Sequence, residues 1–202
     1  MRAMPHTLLS VNTSLAREVE INGQKVMTGI GKRAVPSTVE VKPLGLEGDE
    51  QADLSVHGGL SKAVYAYPSE HYPFWQTVRA QAKAAAWDDT LPPGSMGENL
   101  TIAGMLENQA WIGDVLRFPH CELAVSEPRF PCFKFNAAMG FSQAAKLMAA
   151  NSWCGFYLAV RVPGTLKAGD NFELIPGPRE VGIQELFRSR LAGQACEPHR
   201  FR

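Results

Sequence analysis

The chain has 202 residues, of which 45% are hydrophobic and 9% aromatic, enough to build the core of one domain. Twenty basic and twenty acidic side chains cancel to a formal net charge of zero, which argues against nucleic-acid binding by bulk charge. The apolar runs fall far short of the roughly 20 residues that span a bilayer, and the first residues lack the apolar stretch of a signal peptide, so we expect no membrane segment.

Short segments rich in β-branched and aromatic residues, separated by Gly and Pro, predict a series of strands. The first is TLLSVN, and EVEINGQKVM follows as a hairpin with Asn22 and Gly23 at its turn. After STVEVKPLGL and AVYAYP, the segment SEHYPFWQTVRAQAKAAA predicts a helix with Ser69 as its N-cap and Pro73 in its first turn. The later strands are ENLTIAG, VLRFP, CELAVS, FYLAVRV and NFELIP, and FSQAAKLMAAN predicts a helix before FYLAVRV. Many short strands with few helices predict a mainly β chain, a closed or nearly closed β-barrel with helical insertions.

The Pro-Gly-Pro sequence at 176–178 marks a boundary near the end of the chain. We therefore assign residues 1–177 to the barrel domain and residues 178–202 to a C-terminal helix and tail. EVGIQELFRSRLAG predicts an amphipathic helix, because its apolar residues recur on one helical face: Ile183, Leu186, Phe187 and Leu191. A single helix of this length is marginal alone, so we expect it to dock on the barrel or on a second subunit of a homodimer, or to be the remnant of a longer domain.

The segment EPRFPCFKFN surrounds Cys132 with prolines and cations. Its two prolines remove backbone donors, so we expect neither regular ladder nor helix there, and the thiol to be presented at the end of the strand CELAVS. Nearby Arg129 and Lys134 favour the thiolate, the form that attacks or binds a metal, and both cations can pair with phosphate. The alternative is a buried, incidental cysteine. The four cysteines lie far apart without a CxxC pair, which disfavours disulfides and structural zinc and makes the cytoplasm the simplest location.

Three other segments hold candidate ligand-binding residues. The glycines after His57 let backbone N–H groups approach a ligand, although a glycine-rich loop with a solvent histidine explains the pattern equally well. Asn99, in GENLTIAG, stands at a strand mouth, although this motif alone is more typical of a turn. TGIGKRAV places Lys32 and Arg33 after two glycines, where a surface basic turn is the alternative. Together with Cys132, these residues can converge on a ligand that carries a phosphate and a soft metal.

The acidic residues are assigned structural roles. Four of them precede His57 in a cluster that matches no calcium-loop or zinc spacing, and we interpret it as a solvated acidic loop: Glu47, Asp49, Glu50 and Asp53. Asp114 and Asp170 each follow a glycine at the entry to a predicted strand, which is typical of turns.

Seven motifs run in order between about Leu8 and Ile175: REVEINGQKVMTGIGK, LGLEGDEQADLSVHGG, AVYAYPSEHYPFW, MGENLTIAG, IGDVLRF, SEPRFPCFKFN and GTLKAGD. As an ordered set they resemble the MOSC domains, which are related to the carboxy-terminal domain of molybdenum-cofactor sulfurase. The likeness is strongest to the bacterial YiiM-type subgroup, which is linked to resistance against 6-N-hydroxylaminopurine.

The resemblance implies a β-barrel of the pyruvate-kinase barrel-domain type and a molybdenum–pterin cofactor. It implies that Cys132 is the metal-side ligand or the sulfur carrier, and that Asn99 lies near the pterin. The remaining residues that it assigns to the pocket are His57, Arg129, Lys134 and Asn136, with Lys32 and Arg33 as candidates for the phosphate.

The chain departs from the family at its C-terminal end. YiiM-type proteins continue into a small three-helix domain, whereas EVGIQELFRSRLAG matches only the first of these helices. The pyridoxal-phosphate-dependent desulfurase domain of the sulfurases has no counterpart in the 202 residues, which argues against pyridoxal phosphate as a cofactor.

The preferred hypothesis is therefore a cofactor-dependent oxidoreductase that reduces small N-hydroxylated compounds. No flavin or iron–sulfur motif is present, so a separate reductase is expected to supply electrons. Two alternatives remain open: a carrier of molybdopterin or of persulfide sulfur on Cys132, and a ligand-binding barrel without turnover.

Overall fold

The computed structural model describes residues 6–52 and 58–193. Its strands are β1 His6–Thr13, β2 Arg17–Ile21, β3 Gln24–Thr28, β4 Arg33–Ala34, β5 Val39–Lys42, β6 Gly45–Leu46, β7 Val64–Pro68, β8 Leu100–Ala103, β9 Val115–Arg117, β10 Glu122–Pro128, β11 Phe156–Val162, β12 Gly164–Leu166 and β13 Asn171–Ile175. Its helices are α1 Tyr72–Gln81, α2 Phe133–Met139, α3 Ala144–Asn151 and α4 Ile183–Leu191, with short 3-10 turns at Leu60–Lys62 and Ser69–His71.

Seven strands close into a barrel in the order β13, β9, β10, β11, β7, β8 and β1, with β1 pairing back onto β13. Neighbouring strands are antiparallel except β7 and β8, which are parallel. Outside the barrel, β12, β5 and β6 form a small sheet, and β2 pairs with β3 in a separate hairpin. The predicted mainly β barrel is confirmed.

The core has two parts, because the barrel is apolar inside and is also covered outside by helices. The interior is filled by side chains such as Leu8, Ile102 and Leu158, which are fully buried. A second cluster joins α1, α2 and α3 to the outer face of β7, through buried Trp75 and Phe135 among others. Burying Phe135 fixes α2, and α2 in turn fixes the cysteine that precedes it.

The structure corrects two local predictions. α1 ends at Gln81 instead of continuing through the alanines, and Ser69 begins a 3-10 turn, so His71 is the N-cap of α1. The proline segment is also more regular than predicted. β10 continues to Pro128, since this proline forms the end of the strand, and α2 begins directly after Cys132. Only the residues between these two elements are irregular.

The predicted C-terminal helix is confirmed as α4, and it packs against the barrel. Ile183 and Phe187 belong to the barrel's own core cluster, and the Phe187 ring stacks on Phe130 with centroids 5.0 Å apart. Within the described residues, every helix is too short or too polar to cross a bilayer.

Candidate functional site

Several loops and strand ends enclose a cavity beside the barrel, here called the Cys132 cavity. Its wall combines the segment after β3, the loop after β6, the 3-10 turn before β7, and the irregular segment between β10 and α2. Six side chains on this wall carry the chemistry discussed below: Lys32, Asp49, Asn99, Arg129, Cys132 and Lys134. The fold therefore brings together residues as far apart in the chain as Lys32 and Lys134.

Cys132 lines this cavity from the N-cap position of α2. Its backbone is extended, with φ −125° and ψ 177°, and its side chain makes no capping hydrogen bond. The helix behind it is anchored by Phe135 and Met139, both fully buried. The thiol is partly exposed, so the fold holds it at a fixed position and leaves it accessible to a ligand.

Arg129 provides a buried positive charge in the same cavity. Its guanidinium carbon lies 4.8 Å from the ring centroid of Tyr65 and 5.7 Å from that of Phe135. Cation–π attraction offsets part of the desolvation that burial imposes. Arg129 is only 6% exposed, yet its Nη1 is buried without a hydrogen-bond partner among the described residues. A guanidinium N–H in this state is a donor positioned for an anion.

Lys32 and Asp49 form a buried ion pair at the cavity wall, with side chains 8% and 4% exposed. The Asp49 carboxylate also accepts the backbone N–H of Ser14 at 2.9 Å and the side-chain amide of Asn99 at 2.8 Å. Burial lowers the pKa of Lys32, and the charge of Asp49 opposes this shift. The interpretation of Asp49 as a member of a solvated loop is therefore wrong, because its carboxylate is buried and paired with Lys32.

Asn99 lies at the cavity wall with its amide fully engaged. Its Oδ1 accepts the backbone N–H of Tyr65 at 3.0 Å, and its Nδ2 donates to Asp49 and, at 3.3 Å, to the carbonyl of Asn12. These bonds tie β7, β1 and the loop after β6 together. The described contacts give Asn99 a role in shaping the cavity.

The other predicted residues occupy different positions. Lys134 lines the cavity and donates from Nζ to the carbonyl of Met27 at 2.9 Å, which ties α2 to the β2–β3 hairpin. Asn136 accepts the backbone N–H of Ala145 at 2.7 Å and so caps α3, outside the cavity lining. Arg33 is exposed on β4 and does not line the cavity. His57 lies outside the described residues.

Sequence reasoning missed the role of Glu98, which is fully buried behind the cavity wall. It accepts four hydrogen bonds, from the hydroxyls of Tyr72 and Thr101 and from the backbone N–H groups of Gly94 and Met96. Burial raises its pKa above the usual range of a glutamate. In the sequence, Gly97 followed by a strand indicates only a turn. The role of Glu98 was missed because its four hydrogen-bond donors come together only in the folded chain.

The acids predicted to support turns do so. Asp114 accepts the backbone N–H groups of Gly177 at 2.7 Å and of Trp111 at 3.2 Å, and Asp170 accepts that of Lys167 at 2.9 Å. The described residues contain no cluster of three or more His, Cys, Asp or Glu side chains suited to holding a metal ion.

The MOSC domain family matches residues 53–173, well over half of the chain. The chain belongs to the MOSC domain family. Among curated proteins it is 37% identical over 191 residues to the uncharacterized protein YflK of Bacillus subtilis, covering 95% of this chain and 82% of YflK. It is 35% identical over 158 residues to protein YiiM of Escherichia coli, covering 78% of this chain and 68% of YiiM.

A solved structure and a further curated relative extend the likeness. The crystal structure of YiiM from Geobacillus stearothermophilus superimposes with a TM-score of 0.72 at 26% identity, covering 92% of this chain and 84% of that one. A protein of Gibberella moniliformis named reductase is 30% identical over 191 residues, covering 92% of this chain and 33% of the relative, which is therefore much longer. The predicted MOSC family and its YiiM-type likeness are confirmed.

Proposed function

We propose that this MOSC protein binds a molybdenum–pterin cofactor in the Cys132 cavity and reduces N-hydroxylated compounds such as 6-N-hydroxylaminopurine. The observation that carries the proposal is the pairing, in one cavity, of an accessible thiol with a buried guanidinium whose Nη1 has no partner in the described part of the chain. The name of the Gibberella relative supports a reductive activity.

The side chains of the cavity fit a ligand that is both anionic and metal-bearing. The Cys132 sulfur suits a soft or thiophilic metal centre. The planar fork of Arg129 suits a phosphate or another oxyanion, and Lys134 adds positive charge on the α2 side of the wall. When bound, the cofactor supplies two-electron chemistry that no side chain of the protein provides.

The protein's own residues would hold and orient this ligand. Cys132 fixes its metal end, since α2 is anchored behind the thiol by Phe135. Arg129 would neutralise negative charge on the ligand, and its guanidinium is held close to the rings of Tyr65 and Phe135. Electrons would come from a separate reductase, so the isolated chain should show no turnover with NAD(P)H alone. A cytoplasmic location would give access to such a donor.

Metal and pterin content test this proposal directly. Wild-type protein should be purified from a host that makes molybdenum cofactor, beside Cys132→Ser and the matched control Cys121→Ala, whose thiol is buried in the barrel core. We expect near-stoichiometric molybdenum and pterin in the wild type and the control, and loss of both from Cys132→Ser. Full retention by Cys132→Ser, or absence of both from the wild type, would contradict the proposal.

A second candidate function is a sulfur carrier, favoured by the accessible Cys132 thiol with no capping hydrogen bond. Under this reading Cys132 carries a persulfide and passes sulfur to another protein. Intact-mass analysis after incubation with a low-molecular-weight persulfide, which transfers its outer sulfur and leaves as a thiol, would show one added sulfur atom, absent from Cys132→Ser. Transferable sulfur without reduction of an N-hydroxylated substrate would favour the carrier over the enzyme.

A further inference from the structure

The Lys32–Asp49 pair has a geometry that phosphate binding does not require. The Lys32 side chain lines the Cys132 cavity although only 8% of it is exposed, and its Nζ is already bonded to Asp49. Asp49 is held in turn by the N–H of Ser14 and the amide of Asn99. A lysine ammonium has three N–H donors, so one bond to Asp49 orients the group and leaves two others.

We propose that Lys32, oriented by Asp49, is the proton donor to the substrate oxygen that leaves during reduction. This role rests on the proposed function. Cleavage of R–NH–OH consumes two electrons and two protons and yields R–NH₂ and water. As the N–O bond breaks, its electron pair goes to the oxygen, which takes a proton from the Lys32 ammonium and leaves as water. The two electrons that nitrogen gains originate from the donor reductase, solvent supplies the proton that nitrogen takes up, and a further solvent proton restores the Lys32 ammonium.

The electrostatic surroundings of Lys32 suit an acid. Burial lowers its pKa, with Arg129 adding to the effect, whereas Asp49 and Glu98 oppose it by stabilising the ammonium. A lowered pKa makes the ammonium a better proton donor, and the negative charge of Asp49 favours its protonated form. The other charged or titratable groups on the described cavity wall are Glu50, Lys62, Tyr65, Cys132, Lys134 and Tyr157.

Other cations are better placed than Lys32 to hold the anionic part of the cofactor. Arg129 has an unpartnered buried N–H in the described part of the chain, whereas Lys32 is already matched to a carboxylate. A phosphate placed against Lys32 would also approach the negative charge of Asp49. This is the physical reason for assigning Lys32 to proton transfer instead of the phosphate role that the family resemblance implied.

The experiment compares Lys32→Met, Lys32→Arg and the exposed control Lys42→Met in protein loaded with cofactor. For each, molybdenum and pterin content, kcat, KM and the pH profile are measured with an electron-donor system and 6-N-hydroxylaminopurine. General acids contribute about 10²- to 10⁴-fold to rates, so we expect kcat to fall at least about 100-fold in Lys32→Met at unchanged cofactor content. Wild-type activity should fall as pH rises through the pKa of Lys32, and this limb should vanish in Lys32→Arg, which keeps the pair with Asp49 and therefore the fold.

A readout independent of turnover is the titration of Lys32 by NMR after isotopic methylation, in wild type and in Asp49→Asn. We expect the Lys32 pKa to fall in Asp49→Asn, and the basic limb of its activity profile to move to lower pH with it. Loss of cofactor from Lys32→Arg would overturn the inference in favour of an anchoring role, and unchanged kcat in Lys32→Met would overturn it outright. If the wild type itself held no cofactor and reduced nothing, the proposed function would fail first and this role with it.

Discussion

Glu98→Ala is expected to be among the most damaging single changes behind the cavity wall. It removes the acceptor for four buried donors: the backbone N–H groups of Gly94 and Met96 and the hydroxyls of Tyr72 and Thr101. A buried donor without a partner destabilises a fold by about 1–3 kcal/mol. The hydroxyls can rotate toward other acceptors, but the two backbone groups cannot.

The net effect is therefore governed by the two N–H groups. At about 2 kcal/mol each they sum to about 4 kcal/mol. The variant also avoids the free-energy cost of burying the carboxylate, a cost that the raised pKa of Glu98 reflects. This offsets part of the loss and leaves a net destabilisation of about 3 kcal/mol. With a urea m-value of about 2 kcal/mol/M, the unfolding midpoint should fall by about 1.5 M.

The assay is equilibrium urea unfolding of wild type, Glu98→Ala and Glu40→Ala. Glu40 is a suitable control because its side chain is 62% exposed on β5, where removal should change stability by less than about 0.5 kcal/mol. Under the proposed function, Glu98→Ala should also retain less pterin, because Asn99 follows directly and helps to shape the cavity. A loss below about 1 kcal/mol for Glu98→Ala would refute the reasoning, since it would mean that the two N–H groups find other acceptors.

Three further outcomes are expected from stability measurements. Cys132→Ser should unfold at the same urea concentration as wild type or slightly higher, since serine is preferred at the N-cap; a loss above about 1 kcal/mol would show that the thiol supports the fold. Gly155→Ala should lower the free energy of unfolding by about 3 kcal/mol, because φ is +62° and a Cβ would lie 2.4 Å from the carbonyl oxygen of Ala66. Gly169→Ala has open space around it and should lower the free energy of unfolding by about 1 kcal/mol. Equal losses in the two variants would contradict the steric argument. Because the pKa of Glu98 is higher folded than unfolded, stability should decline as pH rises from about 4.5 through the folded pKa, and Glu98→Gln should abolish this decline in unfolding titrations repeated at each pH.

The sequence predicted best those features that short segments determine by themselves. The hairpin at Asn22-Gly23 is confirmed because both residues adopt positive φ, as such a turn requires. The barrel followed from strands whose apolar residues alternate or run continuously. The cysteine segment was located correctly but its helix was missed, because α2 is stabilised by burying Phe135 against Trp75, a contact between distant segments.

The electrostatic features of the site could not be predicted in the same way. Asp49 stands in an acidic run that resembles solvated loop, and its burial depends on Lys32, 17 positions earlier in the chain. Arg129 was predicted as a pocket cation, but its enclosure between Tyr65 and Phe135 depends on β7 and α2 packing together. Charge identity is local, whereas charge pairing depends on tertiary structure.

The buried guanidinium of Arg129 indicates a ligand-binding site. A buried cation with an unused donor destabilises a fold unless something binds it, and two aromatic rings offset only part of the desolvation. The described residues already match Lys32 to Asp49, so the cavity contains one satisfied charge pair and one guanidinium group that is not fully satisfied. An anion that binds Arg129 in the folded protein alone must stabilise the fold by linkage, in proportion to the logarithm of its concentration over its Kd. An anion bound beside Arg129 would therefore satisfy the unpartnered Nη1 donor and stabilise the folded protein.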